Sequence, residues 1–420
     1  MRVLIISYLP LSLTTNGGKH FTALFEEFKK EEIWQFYIAN DLPDVIRCGS
    51  YFRKTDKDAL LHHKGICIEA TKSSERKSSN NVGLANKKNN RNLKLLIRDL
   101  VWLSWRKKEL YEWIESFRPD CIVSDTGDSC FLYNITKDIA RKYHIPYIAS
   151  FGDDYTELDM KNMSPISKLQ NKLLQRTIRK FVHDAERVIT LNDMFSQRYR
   201  DKYCRHDPEK VQTYYMGSSL DFRNCPHART TNKRKLTLAY LGNISLGRDE
   251  NLIEIGNTLA KYNSIHGTEH KLRIYTNENR DFNEKCKGIP SVELKGFVDS
   301  QYVRDVMLSS DILVHTESFQ YDNVQKTMLS LSTKIADSLA SGTCLLAYGP
   351  KEIASMDYLI RNDCAYIVEA KDKLMQALEP LLEDGELRMQ IALRGQNVAL
   401  KNHNAKMTST RFRKMIEGLV

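Results

Sequence analysis

Short apolar, largely β-branched runs recur along the chain, separated by stretches in which apolar positions fall three and four residues apart. In the first half the runs are Arg2–Leu9, Ile33–Asn40, Cys121–Asp125, Ile145–Phe151, Arg187–Asn192 and Val211–Gly217. In the second half they are Leu236–Gly242, Leu272–Thr276, Val292–Val298, Asp311–His315, Thr343–Gly349 and Cys364–Val368. Helix-period segments stand between most of them, among them His20–Lys30, Asn251–Tyr262, Val303–Ser309 and Lys373–Leu382. Strands alternating with helices predict parallel sheets covered by helices on both faces, an α/β fold. The polar stretch Asp221–Lys235, with Pro226 and Thr230-Thr231-Asn232, reads as the linker between two such sheets. The expected domains are 1–225, 226–400 and a C-terminal helix over 401–420 returning to the N-terminal domain. Doubly wound sheets bind ligands beyond the carboxyl ends of their strands, so two facing domains place one site in the cleft between them.

Composition narrows the class. At 420 residues, 41% hydrophobic and 28% charged, the chain carries enough apolar material for two cores and is neither collagen-like nor globally disordered. No apolar stretch approaches the ~20 residues that cross a bilayer. Nine cysteines, an odd number with no CxxC pair and with Cys121 and Cys344 inside strand-like runs, read as reduced, buried thiols of a cytoplasmic protein. Ser7, Tyr8 and Pro10 interrupt the apolar start, which reads as a first strand rather than a signal peptide.

Charge is uneven. The net formal charge is +10, yet residues 47–108 alone hold 16 basic and 5 acidic residues, or +11. Within this segment, 71–92 is rich in Ser, Asn and Lys and reads as an exposed loop. An amphipathic helix follows, Leu93 to Phe117, with Leu96, Leu100, Leu103, Leu110 and Trp113 at helical spacings. Trp102, Trp105, Arg106, Lys107 and Lys108 decorate it. Tryptophan beside Lys and Arg suits an anionic membrane surface, with each basic residue adding about 1 kcal/mol near acidic lipid. A packed helix with a solvated basic face is the competing reading. No helix-turn-helix, finger or RNP-like motif supports nucleic acid.

Three motifs lie where strands give way to helices. Thr14-Thr15-Asn16-Gly17-Gly18-Lys19 follows the first strand, with paired glycines that allow close backbone approach to a ligand. It is not GxGxxG, which argues against a nicotinamide dinucleotide. Gly242-Asn243-Ile244-Ser245-Leu246-Gly247-Arg248 opens the second half, with Arg248 placed to clamp a diphosphate through its planar fork. Ser332-Thr333-Lys334 caps a helix that continues to Gly342, setting an ammonium beside free N–H groups, and Asp337 one turn further on suits vicinal ribose hydroxyls.

Together the Gly-Gly loop, GNISLGR (242–248), LKGFV (294–298), SSDILVH (309–315), HTESF (315–319), STKIADSLASG (332–342) and AYGP (347–350) resemble the GT-B glycosyltransferases, most closely the retaining family-four type. The order extends over essentially the whole chain, and the specific matches lie in its C-terminal half. The resemblance implies two facing Rossmann-like domains with an interdomain cleft, a nucleotide diphosphate sugar held by the C-terminal domain and an acceptor held by the N-terminal one. It implies that Arg248 and Lys334 neutralise the diphosphate beside Gly242, Asn243, Ser332 and Thr333. By the same resemblance Asp337 binds ribose, Phe297 and Val298 read the nucleobase, and Gly17 and Gly18 close on donor phosphates or acceptor. Glu317 stands for the first acid of the family's paired-glutamate motif. Asp153 stands as the cleft carboxylate, in the Gly152-Asp153-Asp154 that replaces the family's His before Asp. Glu317 and Asp337 are twenty positions apart where the family has eight, with an insertion covering about Gln320–Leu331.

The implied activity is glycosyl transfer to a hydroxyl acceptor, with a lipid-linked or surface-polysaccharide precursor as the candidate, no metal and no resident cofactor. Asp56-Lys57-Asp58 matches the DxD of metal-dependent transferases but reads as chance, since it lies outside any strand end. Residues 47–108 are the candidate contact with the inner face of the cytoplasmic membrane. Two other readings of the same fold remain open: a nucleotide-sugar 2-epimerase, and a catalytically silent GT-B partner subunit.

Overall fold

Apolar residues at consecutive positions can be buried only where both faces of a strand are covered, and this is how the strands of this chain are used. The computed structural model describes residues 1–12, 16–69, 91–105, 107–155, 164–218, 220 and 235–420, with the backbone alone at 16, 17, 19 and 20. The chain divides into two units. One comprises Met1–Leu191, Phe195–Tyr214 and Lys406–Val420, and the other Asn192–Met194 with Tyr215–Ala405.

The first unit contains an eight-stranded sheet of β1 (Val3–Ser7), β2 (Ile33–Tyr37), β3 (Ser50–Arg53), β4 (Ile66–Glu69), β5 (Cys121–Asp125), β6 (Tyr147–Phe151), β7 (Arg187–Thr190) and β8 (Val211–Thr213). Its order is β4-β3-β2-β1-β5-β6-β7-β8, parallel throughout except for the edge strand β4, which runs antiparallel to β3. The order reverses between β1 and β5, whose registers place Ser7 opposite Asp125.

The second unit contains a six-stranded parallel sheet of β9 (Thr237–Leu241), β10 (Lys271–Tyr275), β11 (Val292–Leu294), β12 (Ile312–Thr316), β13 (Cys344–Tyr348) and β14 (Tyr366–Val368). Its order, β11-β10-β9-β12-β13-β14, reverses between β9 and β12. Alternate residues feed two separate cores. Leu238, Tyr240, Ile312, Val314, Cys344 and Leu346 pack into one, while Ala239, Leu241, Leu313, Leu345 and Ala347 pack into the other. Each buried Leu or Ile contributes about 1.5–3 kcal/mol, so the two-sided pattern is strongly specified.

The last helix, Ala405–Glu417, belongs to the first unit. Phe412 sets its ring edge-on to Phe25 at 5.4 Å and to Tyr214 at 5.5 Å. Arg413 forks onto Glu32, with its two terminal nitrogens 2.9 and 2.8 Å from the carboxylate oxygens. The pairing holds the Glu32 carboxyl down to about 2.

The basic segment differs from its reading. Strands β3 and β4 and the helix Asp56–Leu60 lie in it where no strand was expected, so Asp56-Lys57-Asp58 follows a strand end after all, that of β3 at Arg53, and residues 71–90 of the expected loop lie outside the described residues. The expected helix Leu93–Phe117 is two helices, Arg91–Leu103 and Lys108–Phe117. Its tryptophans are not surface residues. Trp102 is 1% exposed and Trp105 5%. Trp102 stacks on Phe131 at 4.5 Å and donates to Asp56 Oδ1 at 2.7 Å, and Trp105 donates to Glu109 Oε1. Indoles that fill a core and find carboxylate acceptors gain nothing by moving to a headgroup layer. Asp58 closes a capping box with Thr55, so the DxD carboxylates serve local structure. No described helix is long and apolar enough to cross a membrane.

Candidate functional site

The reversal of strand order between β9 and β12 leaves a crevice beyond their carboxyl ends, where an open α/β sheet binds its ligand. In the second unit a cavity of about 190 Å³ occupies this place. Tyr240, Leu241, Arg248, His315, Thr316, Glu317, Ser332, Thr333 and Lys334 are among its lining residues.

Each charged group is positioned by a local device. Gly247, at φ 76°, turns the chain into the helix Arg248–His266, so Arg248 is its first residue. A Cβ at Gly247 would come 2.4 Å from Ser318 Oγ, so only glycine fits the approach. At Gly242 a Cβ would come 2.4 Å from Lys334 Nζ, which means that the ammonium rests directly over the glycine backbone. Asn251 donates to Thr316 Oγ1 at 2.8 Å and to the Glu317 carbonyl at 2.7 Å, fixing the end of β12. Gly349 packs against the Glu317 backbone from the other side.

Glu317, 3% exposed, accepts from Arg248 Nη2 at 2.8 Å. His315 stands two residues earlier on the same face of β12, its Nε2 3.5 Å from Glu317 Oε1. Burial, reinforced by the charges of Arg248 and Lys334, pushes the His315 imidazole down to about 3, so it is neutral at physiological pH. Burial raises the Glu317 carboxyl against the opposing pull of Arg248 and Lys334, and burial with Arg248 lowers the Lys334 ammonium. Two cations against one carboxylate leave a positive excess in a low-dielectric cavity, a setting in which an anionic ligand interacts strongly.

Of the other residues named from sequence, Ser332 and Thr333 line the cavity and the rest do not. Asn243 accepts from the Ser245 N–H through Oδ1 and from Tyr240 OH through its carbonyl. Ser332 donates its N–H to Ser355 Oγ. Thr333 is itself helical and its side chain caps nothing, so the expected N-cap is absent. Asp337 does not line the cavity. Its carboxylate accepts from Ser218 Oγ at 2.8 Å, while Ser338, one turn after Lys334, does line the cavity. Phe297, 68% exposed, and Val298 also lie outside the cavity lining. The expected insertion contains the short helix Tyr321–Thr327.

In the first unit, Gly17 and Gly18 lie inside the helix Asn16–Leu24 rather than in a turn before it, and neither uses a positive φ. Thr14 and Thr15 of that motif lie outside the described residues. Asp153 is exposed just beyond β6. Beside it is a residue the sequence reading passed over. Asp125 ends β5 at the point where the strand order of this sheet reverses. Burial, with the charge of Asp153 adding to it, pushes its carboxyl up to about 7. A carboxylate closing a strand at a switch point was the signal available. For His315 the signal was its two-residue spacing from Glu317 on a strand. Among the described residues no group of three or more His, Cys, Asp or Glu is arranged to hold a metal ion.

Over its whole length the chain superposes on solved structures. Sucrose-phosphate synthase from Thermosynechococcus elongatus matches at TM-score 0.64 and 9% identity, covering 100% of this chain and 99% of that one. The Anabaena protein HepE in complex with UDP matches at 0.64 and 11%, covering 100% of both chains. WaaG, a glycosyltransferase involved in lipopolysaccharide biosynthesis, matches at 0.55 and 12%, covering 100% of this chain and 99% of that one. The fold is that of a GT-B glycosyltransferase. Residues 257–414 match the family described as Glycosyl transferase-like, which spans the sheet from β10 onward and most of the last helix. No curated protein sequence matches the chain. Arg248 lies outside the matched residues, and Glu317 and Lys334 lie inside them.

Proposed function

We propose that the protein moves a glycosyl group from a nucleotide diphosphate sugar, with a uridine diphosphate sugar as the first candidate, to a hydroxyl acceptor. The observation that carries this reading is the cavity at the β9/β12 reversal, lined by Arg248, Lys334 and Glu317. HepE was solved with UDP, which motivates the choice of base.

In this reading the departing diphosphate develops negative charge where Arg248 and Lys334 are already fixed, and preorganised charge of this kind is commonly the largest single contribution to rate. Glu317 holds the Arg248 guanidinium in place and stands beside the sugar. Neutral His315 accepts or donates a hydrogen bond without adding charge. Transfer proceeds with retention and without a metal ion. Asp153 orients the acceptor hydroxyl and Asp125 shares that work. The acceptor is a lipid-linked or surface-polysaccharide precursor met at the inner face of the cytoplasmic membrane, with the enzyme bound peripherally there.

Arg248→Ala and Lys334→Ala each lower sugar transfer at least tenfold, equivalent to about 1.4 kcal/mol. UDP raises the melting temperature of the wild type and not of the double variant, since a ligand that binds only the folded state stabilises it. Unchanged turnover in both single variants would reject the clamp. Activity retained in a chelator supports metal independence, and activity restored only by a divalent ion rejects it.

A further inference from the structure

Two neighbouring helices of the first unit present apolar side chains to solvent. On Arg91–Leu103 the exposed residues are Leu93, Ile97, Leu100 and Leu103, spaced four, three and three apart, with Leu100 and Leu103 65% and 68% exposed. They form one stripe on the side opposite the buried Trp102. On Pro165–Asp184, which packs against the first helix, Ile166, Leu169 and Leu173 are exposed at spacings of three and four, while Leu174, Ile178 and Phe181 face the core. Scattered exposed leucines are ordinary, but seven large apolar residues in two stripes on packed helices mark an interaction surface.

The charge beside the stripes selects the partner. The two helices carry eight Lys or Arg and two Asp. Lys168, Lys172, Arg176, Arg179 and Lys180 form no ion pair among the described residues. Lys172 and Arg176 each follow an exposed leucine, Leu169 or Leu173, by one helical turn and border its stripe. An apolar stripe flanked by unpaired cations fits a surface that is apolar below and anionic above.

We infer that the helices Arg91–Leu103 and Pro165–Asp184 dock the enzyme on an anionic lipid bilayer, with the two leucine and isoleucine stripes entering the acyl boundary and the basic residues meeting headgroups. This rests on the membrane part of the proposed function and replaces its tryptophan-based rationale, since Trp102 and Trp105 are buried. The docking surface is independent of the diphosphate cavity, so the two can fail separately.

The test is sedimentation of the full chain with phosphatidylcholine vesicles, with and without 30% phosphatidylglycerol, in the absence of any sugar nucleotide. The wild type pellets with anionic vesicles at low salt, pellets at least tenfold less with neutral ones and is released as salt rises. Ile97→Ser with Leu100→Ser, and separately Lys172→Glu with Arg176→Glu, each reduce anionic binding at least tenfold. Both double variants keep the wild-type tryptophan fluorescence transition in a denaturant titration, which shows the first unit folded. Absence of pelleting with anionic vesicles at low salt overturns the inference, whether the face is covered by residues 70–90 or by a second copy of the chain. So does undiminished pelleting in both double variants.

Discussion

Single residues shape the cavity at the β9/β12 reversal. Gly242 matters for what it lacks, since a methyl group there meets the Lys334 ammonium at 2.4 Å. Gly242→Ala displaces that ammonium and weakens UDP binding by about tenfold, or ~1.4 kcal/mol, measured by calorimetry. An unchanged affinity would mean that Lys334 does not contact the nucleotide. Asp125 lends itself to a pH test. Its carboxyl titrates near 7 in the folded chain against 3.8 for the ordinary group, so ionising it opposes folding. The cost is absent below about pH 4, grows as pH rises and is complete above about pH 7. Asp125→Asn therefore stabilises the protein at pH 8 by about 1 kcal/mol or more and leaves it unchanged at pH 3.5. All four tryptophans, Trp34, Trp102, Trp105 and Trp113, lie in the first unit, so their fluorescence in a denaturant titration reports on it. An equal effect at both pH values would assign the change to packing instead.

At the scale of elements, what could be read from local pattern differs from what needed the fold. Strands such as β1, β5, β9 and β13 announce themselves by consecutive apolar residues; of the charged cavity residues, Glu317 directly follows β12, whereas Arg248 and Lys334 each open a helix. Strands β3 and β4 give weaker signals, being four residues long at a sheet edge, with Cys67 of β4 exposed. Helical periodicity shows that Arg91–Leu103 has an apolar face without saying which neighbour covers it. Trp102 and Leu100 are two positions apart in one helix, and one is buried while the other is bare. Trp102→Ala, which removes the stack on Phe131 and leaves Asp56 with one donor fewer, destabilises the first unit by about 3–5 kcal/mol. The loss is read from the denaturation midpoint, and a loss below about 1 kcal/mol would contradict the packing described.

At the scale of the whole molecule, the chain returns. Its last fifteen residues, Lys406–Val420, complete the first unit by way of Phe412, Ile416 and the Arg413–Glu32 pair. A chain ending at residue 404 therefore loses stability in the tryptophan-bearing unit, and Phe412→Ala alone costs it about 3–5 kcal/mol. A truncated chain with an unchanged tryptophan unfolding transition would show the last helix to be dispensable. The sequence by itself determined the alternation of strands and helices and the cations at helix starts, because hydrophobic period and charge placement are local properties. The tertiary structure alone decided that Glu317 pairs with Arg248 across 69 positions, that Asp337 turns toward Ser218, and that two tryptophans are interior while the leucines beside them are not. Those outcomes depend on which distant surfaces meet, and an unpaired amphipathic segment carries no record of its partner.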